Sequence, residues 1–154
     1  MLTVLPNKPF DITSVRLYDA PPDQVFNAWF DEERAGEWLF ATPAGVMTKV
    51  EIDGRFGGRF TVVERRGEED AEHFGIFTEI RWPSRIAFTF STAKDEPGSP
   101  VTIDIVPYEH GGTKLTLTHT VAPQWADYSN QISSSWLRML LALKSVLSEG
   151  VSGS

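Results

Sequence analysis

Residues 51–60 read EIDGRFGGRF, with three glycines in five positions, Gly54, Gly57 and Gly58, and an arginine on either side of the pair. Two physical readings compete for such a cluster. A phosphate loop works because glycine-rich backbone N–H groups lead into a helix N-terminus. Here the glycines lie between two segments of period two, VMTKVEID and RFTVVERR, and no GK[ST] ending follows. The spacing of a dinucleotide fingerprint is absent as well. Glycine at this place supplies a positive φ or a close backbone approach at a hairpin turn or bulge. The stretch is strand geometry, and that reading directs the fold toward an antiparallel sheet.

Working outward, six strand candidates follow one another without a helical pattern between them: VMTKVEID, RFTVVERR, AEHFGIFTEI, RIAFTFST, VTIDIVPY and TKLTLTHT. Turn chemistry divides them, including Trp82-Pro83-Ser84, Asp95-Glu96-Pro97-Gly98 and His110-Gly111-Gly112. Short links between sequential strands predict a meander rather than a parallel βαβ sheet. Upstream, ITSVRLY (12–18) reads as a first strand. Pro21 and Pro22 suit the first turn of a short helix carrying Val25, Phe26 and Trp29, and Asp31 is placed to cap a second one that ends with Trp38. Downstream, Ile132, Trp136, Met139, Leu140, Leu143, Val146 and Leu147 fall at helical spacings on one face, with Gly150 as a stop. An apolar sheet face needs a cover, and this last helix is the element large enough to provide it. The expectation is an α+β domain of order β-α-α-β6-α over residues 1–150, with 151–154 as a frayed tail.

Composition narrows the chemistry. The chain has 154 residues, 41% hydrophobic and 23% charged, which fits one globular domain. It has no cysteine, which excludes disulfides, thiolate nucleophiles and cysteine-ligated metals. A net charge of −7 argues against nucleic acid, whose binding depends on Lys and Arg. No apolar run approaches the ~20 residues of a membrane span, and the N-terminus lacks a secretion signal, so the expected location is cytoplasmic.

DAPPDQVFNAWFDEERAGEWL, DGRFGGRF, GIFTEIRWPSRIAFTF, VTIDIVPYEHGGTKLTLTH and the late SSSW helix together resemble the activator of heat shock protein 90 ATPase homologue-like family, within the START-like (SRPBCC, helix-grip) superfamily. The resemblance covers residues ~12–148 in the family's motif order. One departure is Leu39, where the family often carries a second tryptophan after Trp38. The resemblance implies a curved sheet gripping the last helix and a deep cavity between them that holds hydrophobic ligands. It does not imply one chemistry, because superfolds host many functions.

Strand alternation selects the inward residues. Phe60 and Val62, Phe88 and Phe90, Val101, Ile103 and Ile105, and Leu115 and Leu117 form apolar i, i+2 sets, and His119 continues the last of them. The expected ligand-binding set is therefore Trp38, Phe60, Val62, Phe88, Phe90, Ile103, Leu117, His119, Trp136 and Leu140. Each has a packing role as its alternative. His119 is either a hydrogen-bonded core histidine or a contact to ligand or proton. His73 can face either way, His110 belongs to a turn, and Ser99 in PGSP falls in a loop with no nucleophile elbow. Glu64 has inward parity but reads more readily as a solvated strand end. The three histidines show no metal-ligand spacing.

The function expected from these residues is non-catalytic binding of a small hydrophobic or amphipathic molecule, without a cofactor. The alternatives are a cyclase- or dehydratase-type enzyme using His119 as acid or base, and a co-chaperone-like activator of a heat shock ATPase. A single domain leaves no second chaperone-contacting segment, which weakens the last. A homodimer is compatible with the sequence.

Overall fold

A computed structural model describes residues 8–94 and 96–152. Strand β1 (Phe10–Tyr18) leads through α1 (Pro22–Ala28) and α2 (Glu32–Ala35) into a meander. Its strands are β2 (Val46–Ile52), β3 (Arg59–Arg66), β4 (Glu69–Arg81), β5 (Arg85–Ser91), β6 (Ser99–Tyr108) and β7 (Gly112–Val121). A single-turn 3₁₀ stretch precedes β7, another spans Pro123–Tyr128, and α3 (Ser129–Ser152) closes the chain. The sheet order is β1-β7-β6-β5-β4-β3-β2, with every pair antiparallel. This is the helix-grip architecture: seven strands bent around α3.

The helix starts follow the expected local chemistry. Pro21 stands in the cap position of α1 with extended backbone, and the Asp31 carboxylate accepts from the Glu33 N–H at the start of α2. Such a cap satisfies a donor that the helix itself leaves open. Helix α2 is only four residues long, so Trp38 lies in the turns that follow it rather than at its end. Helix α3 runs through Gly150 to Ser152. One glycine weakens a helix by about 1 kcal/mol and does not by itself end it. The frayed-tail reading of residues 153–154 lies outside the described residues. No helix among those described is long and apolar enough to cross a membrane.

The opening glycines divide the work of one turn. Gly57 holds φ 78°, the left-handed region that favours glycine. Gly58 has no such φ; a side chain there would drive into the Asp53 carbonyl oxygen. Its own N–H reaches Arg55 O at 2.8 Å, and its carbonyl accepts from Phe77 N at 2.9 Å, which ties the β2–β3 turn to β4. Gly58→Val is therefore expected to lose more stability than Gly57→Ala, which meets open space and forfeits about 1–2 kcal/mol of backbone preference. Urea unfolding of the two variants measures the difference.

The apolar i, i+2 sets all face the helix. Val62, Ile103, Leu115, Leu117, Leu140 and Leu143 are fully buried. Helix α1 packs on α3 and β6 and α2 on β2, at the end of the grip occupied by the C-terminal half of α3. Two long-range bonds fasten the helix there, one at its midpoint and one beyond it: Tyr18 Oη donates to Leu140 O at 2.8 Å and Arg34 Nη2 to Val146 O at 2.6 Å.

Candidate functional site

The opposite end of the grip is hollow. A cavity of about 920 Å³ opens between the N-terminal half of α3 and the ends of β3 to β7. Its walls include Phe40, Phe90, Trp136 and Met139 as apolar surface, with Arg66, His73, Ser99 and His119 as polar groups. Ile132, Ser135 and Arg138 of α3 and the β5–β6 loop around Pro97 frame the mouth.

His119 is buried and fully engaged. The Trp136 indole N–H donates to its Nδ1 at 3.1 Å, and Ser99 Oγ lies 2.6 Å from its Nε2. Indole nitrogen only donates, so Nδ1 must accept, and the single proton of the neutral ring sits on Nε2. That proton is donated to Ser99, whose hydroxyl in turn points to Phe90 O at 3.3 Å. The polarity runs away from Ser99 as a nucleophile: the nitrogen facing it carries a proton and cannot take another. Ser99 itself is the first residue of β6, not the loop residue that PGSP suggests.

Burial pushes the pKa of His119 down to about 4. An unfolded histidine, near 6.5, therefore takes up its proton first, and the unfolded state binds more protons between the two values. Stability is full above pH ~6.5 and falls as the pH drops toward ~4, by up to about 3 kcal/mol from this residue. His73 shifts the same way, again because burial disfavours its charge. Urea titrations between pH ~7 and ~4.5 are expected to show this loss, with a shallower slope in His119→Phe.

Glu64 is not a solvated strand end. It is 1% exposed and accepts from Thr42 N at 2.7 Å, Thr42 Oγ1 at 2.8 Å and Arg66 Nε at 2.6 Å. Burial works against its charge, but the Arg66 and Thr42 hydrogen bonds outweigh it and hold the carboxyl below its usual range. Arg66, so oriented, also donates from Nη2 to Phe40 O at 3.2 Å. Phe40 has φ 58°, an unusual region for a bulky residue. Its N–H lies 3.0 Å from Met139 Sδ, so both of its backbone polar groups are pinned. The strained conformation aims its ring into the aromatic cluster, 4.4 Å from His73 and 5.1 Å from Phe90 in near-parallel stacks. Phe40 thereby walls the large cavity from a void of about 10 Å³ among Trp29, Phe60, Phe77 and Phe88.

The structure sorts the ten sequence-selected residues into two groups. Phe90, His119 and Trp136 line the cavity. Trp38, Phe60, Val62, Phe88, Ile103, Leu117 and Leu140 are 4% exposed or less and lie in the packed interior, with Phe60 and Phe88 on the small void. Phe40, Arg66 and Met139 were not selected. Arg66 shares the inward parity of Phe60, Val62 and Glu64, a signal that could have found it. His73 turns inward, and His110 sits in the turn before β7 with φ 58°. Among the described residues no group of three or more histidines and carboxylates is placed to hold a metal ion.

A curved seven-stranded sheet gripping one long helix, with a hollow end, defines the helix-grip class. The family model for Activator of Hsp90 ATPase homolog 1-like protein matches residues 19–148, and the chain belongs to that family. No curated protein matches. Among solved structures, the chain is similar to protein SA2116 of unknown function from Staphylococcus aureus, at 14% identity and TM-score 0.84, covering 95% of this chain and 98% of that one. It is also similar to an AHSA1-like protein from Aeromonas hydrophila, at 23% identity and TM-score 0.77, covering 93% and 94%. Protein CV1439 from Chromobacterium violaceum has 25% identity and TM-score 0.76, covering 90% and 97%.

Proposed function

We propose that the protein binds a small hydrophobic or amphipathic molecule in the cavity at the N-terminal end of α3. The observation that carries this reading is the cavity itself. At about 920 Å³ it lies within the ~300–1,000 Å³ typical of small-molecule sites, and its walls combine aromatic surface with a few polar groups. Phe90, His119 and Trp136 are the sequence-selected residues retained in the site, joined by Phe40, His73, Arg66 and Met139. Binding without turnover is favoured over acid–base catalysis because both ring nitrogens of His119 are occupied within the protein. A chaperone-activating role rests on the family name alone.

The test is native mass spectrometry of protein purified from its own host, together with titration by the neutral naphthalene fluorophore Prodan. The expected results are a co-purifying small molecule and one saturable Prodan site that raises the melting temperature. A protein that carries nothing and leaves Prodan unbound contradicts the reading.

A further inference from the structure

His73 is a buried side chain whose hydrogen bonding is half complete. It is 7% exposed, and its Nδ1 lies 3.1 Å from the Val62 carbonyl oxygen. A carbonyl only accepts, so Nδ1 carries the proton and Nε2 is left with a bare lone pair. Nε2 has no partner among the described residues, although the side chain forms part of the cavity wall. Burial keeps the ring neutral near pH 7, so the lone pair is retained. Nε2 is not sealed in the interior, and a donor on a ligand in the cavity can complete its hydrogen bonding.

The surroundings narrow the donor. The His73 ring is parallel to Phe40 within 6°, and Phe90 lies within 17° of the same plane. The rings stack on one another, Phe40 4.4 Å from His73 and 5.1 Å from Phe90, and the aromatic surface that this stack turns to the cavity suits an aromatic ligand. Arg66 lines the same cavity and shares an inner face with His73. Glu64 and the Phe40 carbonyl occupy its Nε and one N–H of Nη2, leaving three of its five donors for another acceptor.

We propose that the cavity selects a flat aromatic or conjugated ligand bearing a phenolic or enolic hydroxyl. The hydroxyl donates to His73 Nε2, and an oxygen of the ligand accepts from Arg66. His119 does not compete for this role, because its two nitrogens are taken by Trp136 and Ser99.

This inference rests on the cavity being the ligand compartment, and the probes separate the two claims. 2-Naphthol, 2-methoxynaphthalene and 2-naphthoate share one ring system and differ in the polar group. In the wild-type protein 2-naphthol is expected to bind about tenfold more tightly than the ether, the effect of one buried hydrogen bond. In His73→Phe that ratio is expected to fall to within about twofold. In case the variant does not fold, long-range ¹H–¹⁵N spectra of the wild-type imidazoles provide a second reading. The His73 Nε2 resonance should move on adding 2-naphthol and hold still with the ether. Equal binding of phenol and ether overturns the inference alone, as does a ratio that survives His73→Phe. Tighter binding of 2-naphthoate than of 2-naphthol also overturns it, assigning the site to arginine charge. If none of the three binds, the cavity reading falls with it.

Discussion

Trp38→Ala is expected to destabilise the protein by about 3–5 kcal/mol, the range for truncating a fully buried large aromatic. Trp38 is 0% exposed and meets Trp29 edge-on with ring centroids 4.6 Å apart. It lies in the turns that join α2 to β2, so its removal leaves a hole where the two short helices meet the core. Trp38→Phe is expected to lose much less, because the indole N–H is buried without a hydrogen-bond partner and its deletion breaks nothing. Urea unfolding of the two variants measures both values. Prodan affinity should be unchanged in either, since Trp38 does not line the cavity. Equal losses for the two substitutions would contradict this expectation and mean that a phenyl ring does not refill the space of the indole.

Glu64→Ala is the second large effect, at about 3 kcal/mol. Removing one member of a buried ion pair strands its partners, and the range for such losses is ~3–5 kcal/mol. The lower end applies because the Arg66 side chain is 41% exposed and can turn to water, and Thr42 is itself only partly buried. The same change frees Arg66 from the geometry that lets it hold Phe40 O, so the strained φ of Phe40 loses one of its two restraints. Denaturation measures the loss, and Prodan binding should weaken with it. A loss below about 1 kcal/mol would reduce the Glu64–Thr42–Arg66 network to a surface contact.

The strands were legible because each alternates with period two between turn residues, and a one-residue slip would turn Val62, Ile103 and Leu117 out to water. The glycine pair was legible as strand geometry, but not the division of labour within it: the left-handed backbone at Gly57 and the crowding at Gly58 depend on where the Asp53 carbonyl ends up. The cavity was legible only as a consequence of fold resemblance. Helical spacing says that Leu140 and Trp136 both face the sheet, yet one is in the filled half of the grip and the other in the hollow half. Emptiness is a difference between the space enclosed and the side-chain volume available, and it leaves no pattern along a strand. Glu64 and Arg66 were hard for another reason. A carboxylate near a strand end resembles solvated surface until Thr42, far from it in sequence, supplies the donors that permit its burial. Phe40 carries no local signal, since nothing in LFAT announces a left-handed phenylalanine.

The proposed ligand site is the hollow end of the grip, with the filled end left untouched. Its most direct test is a Prodan titration of methyl-labelled protein followed by NMR, with the tryptophan indole N–H signals recorded alongside. The Ile132 and Met139 methyls and the Trp136 indole N–H are expected to shift together and saturate at one equivalent, while Ile103, Leu117 and Leu140 stay in place. Shifts confined to those three core residues, or to exposed positions such as Leu17 and Val46, would contradict the account.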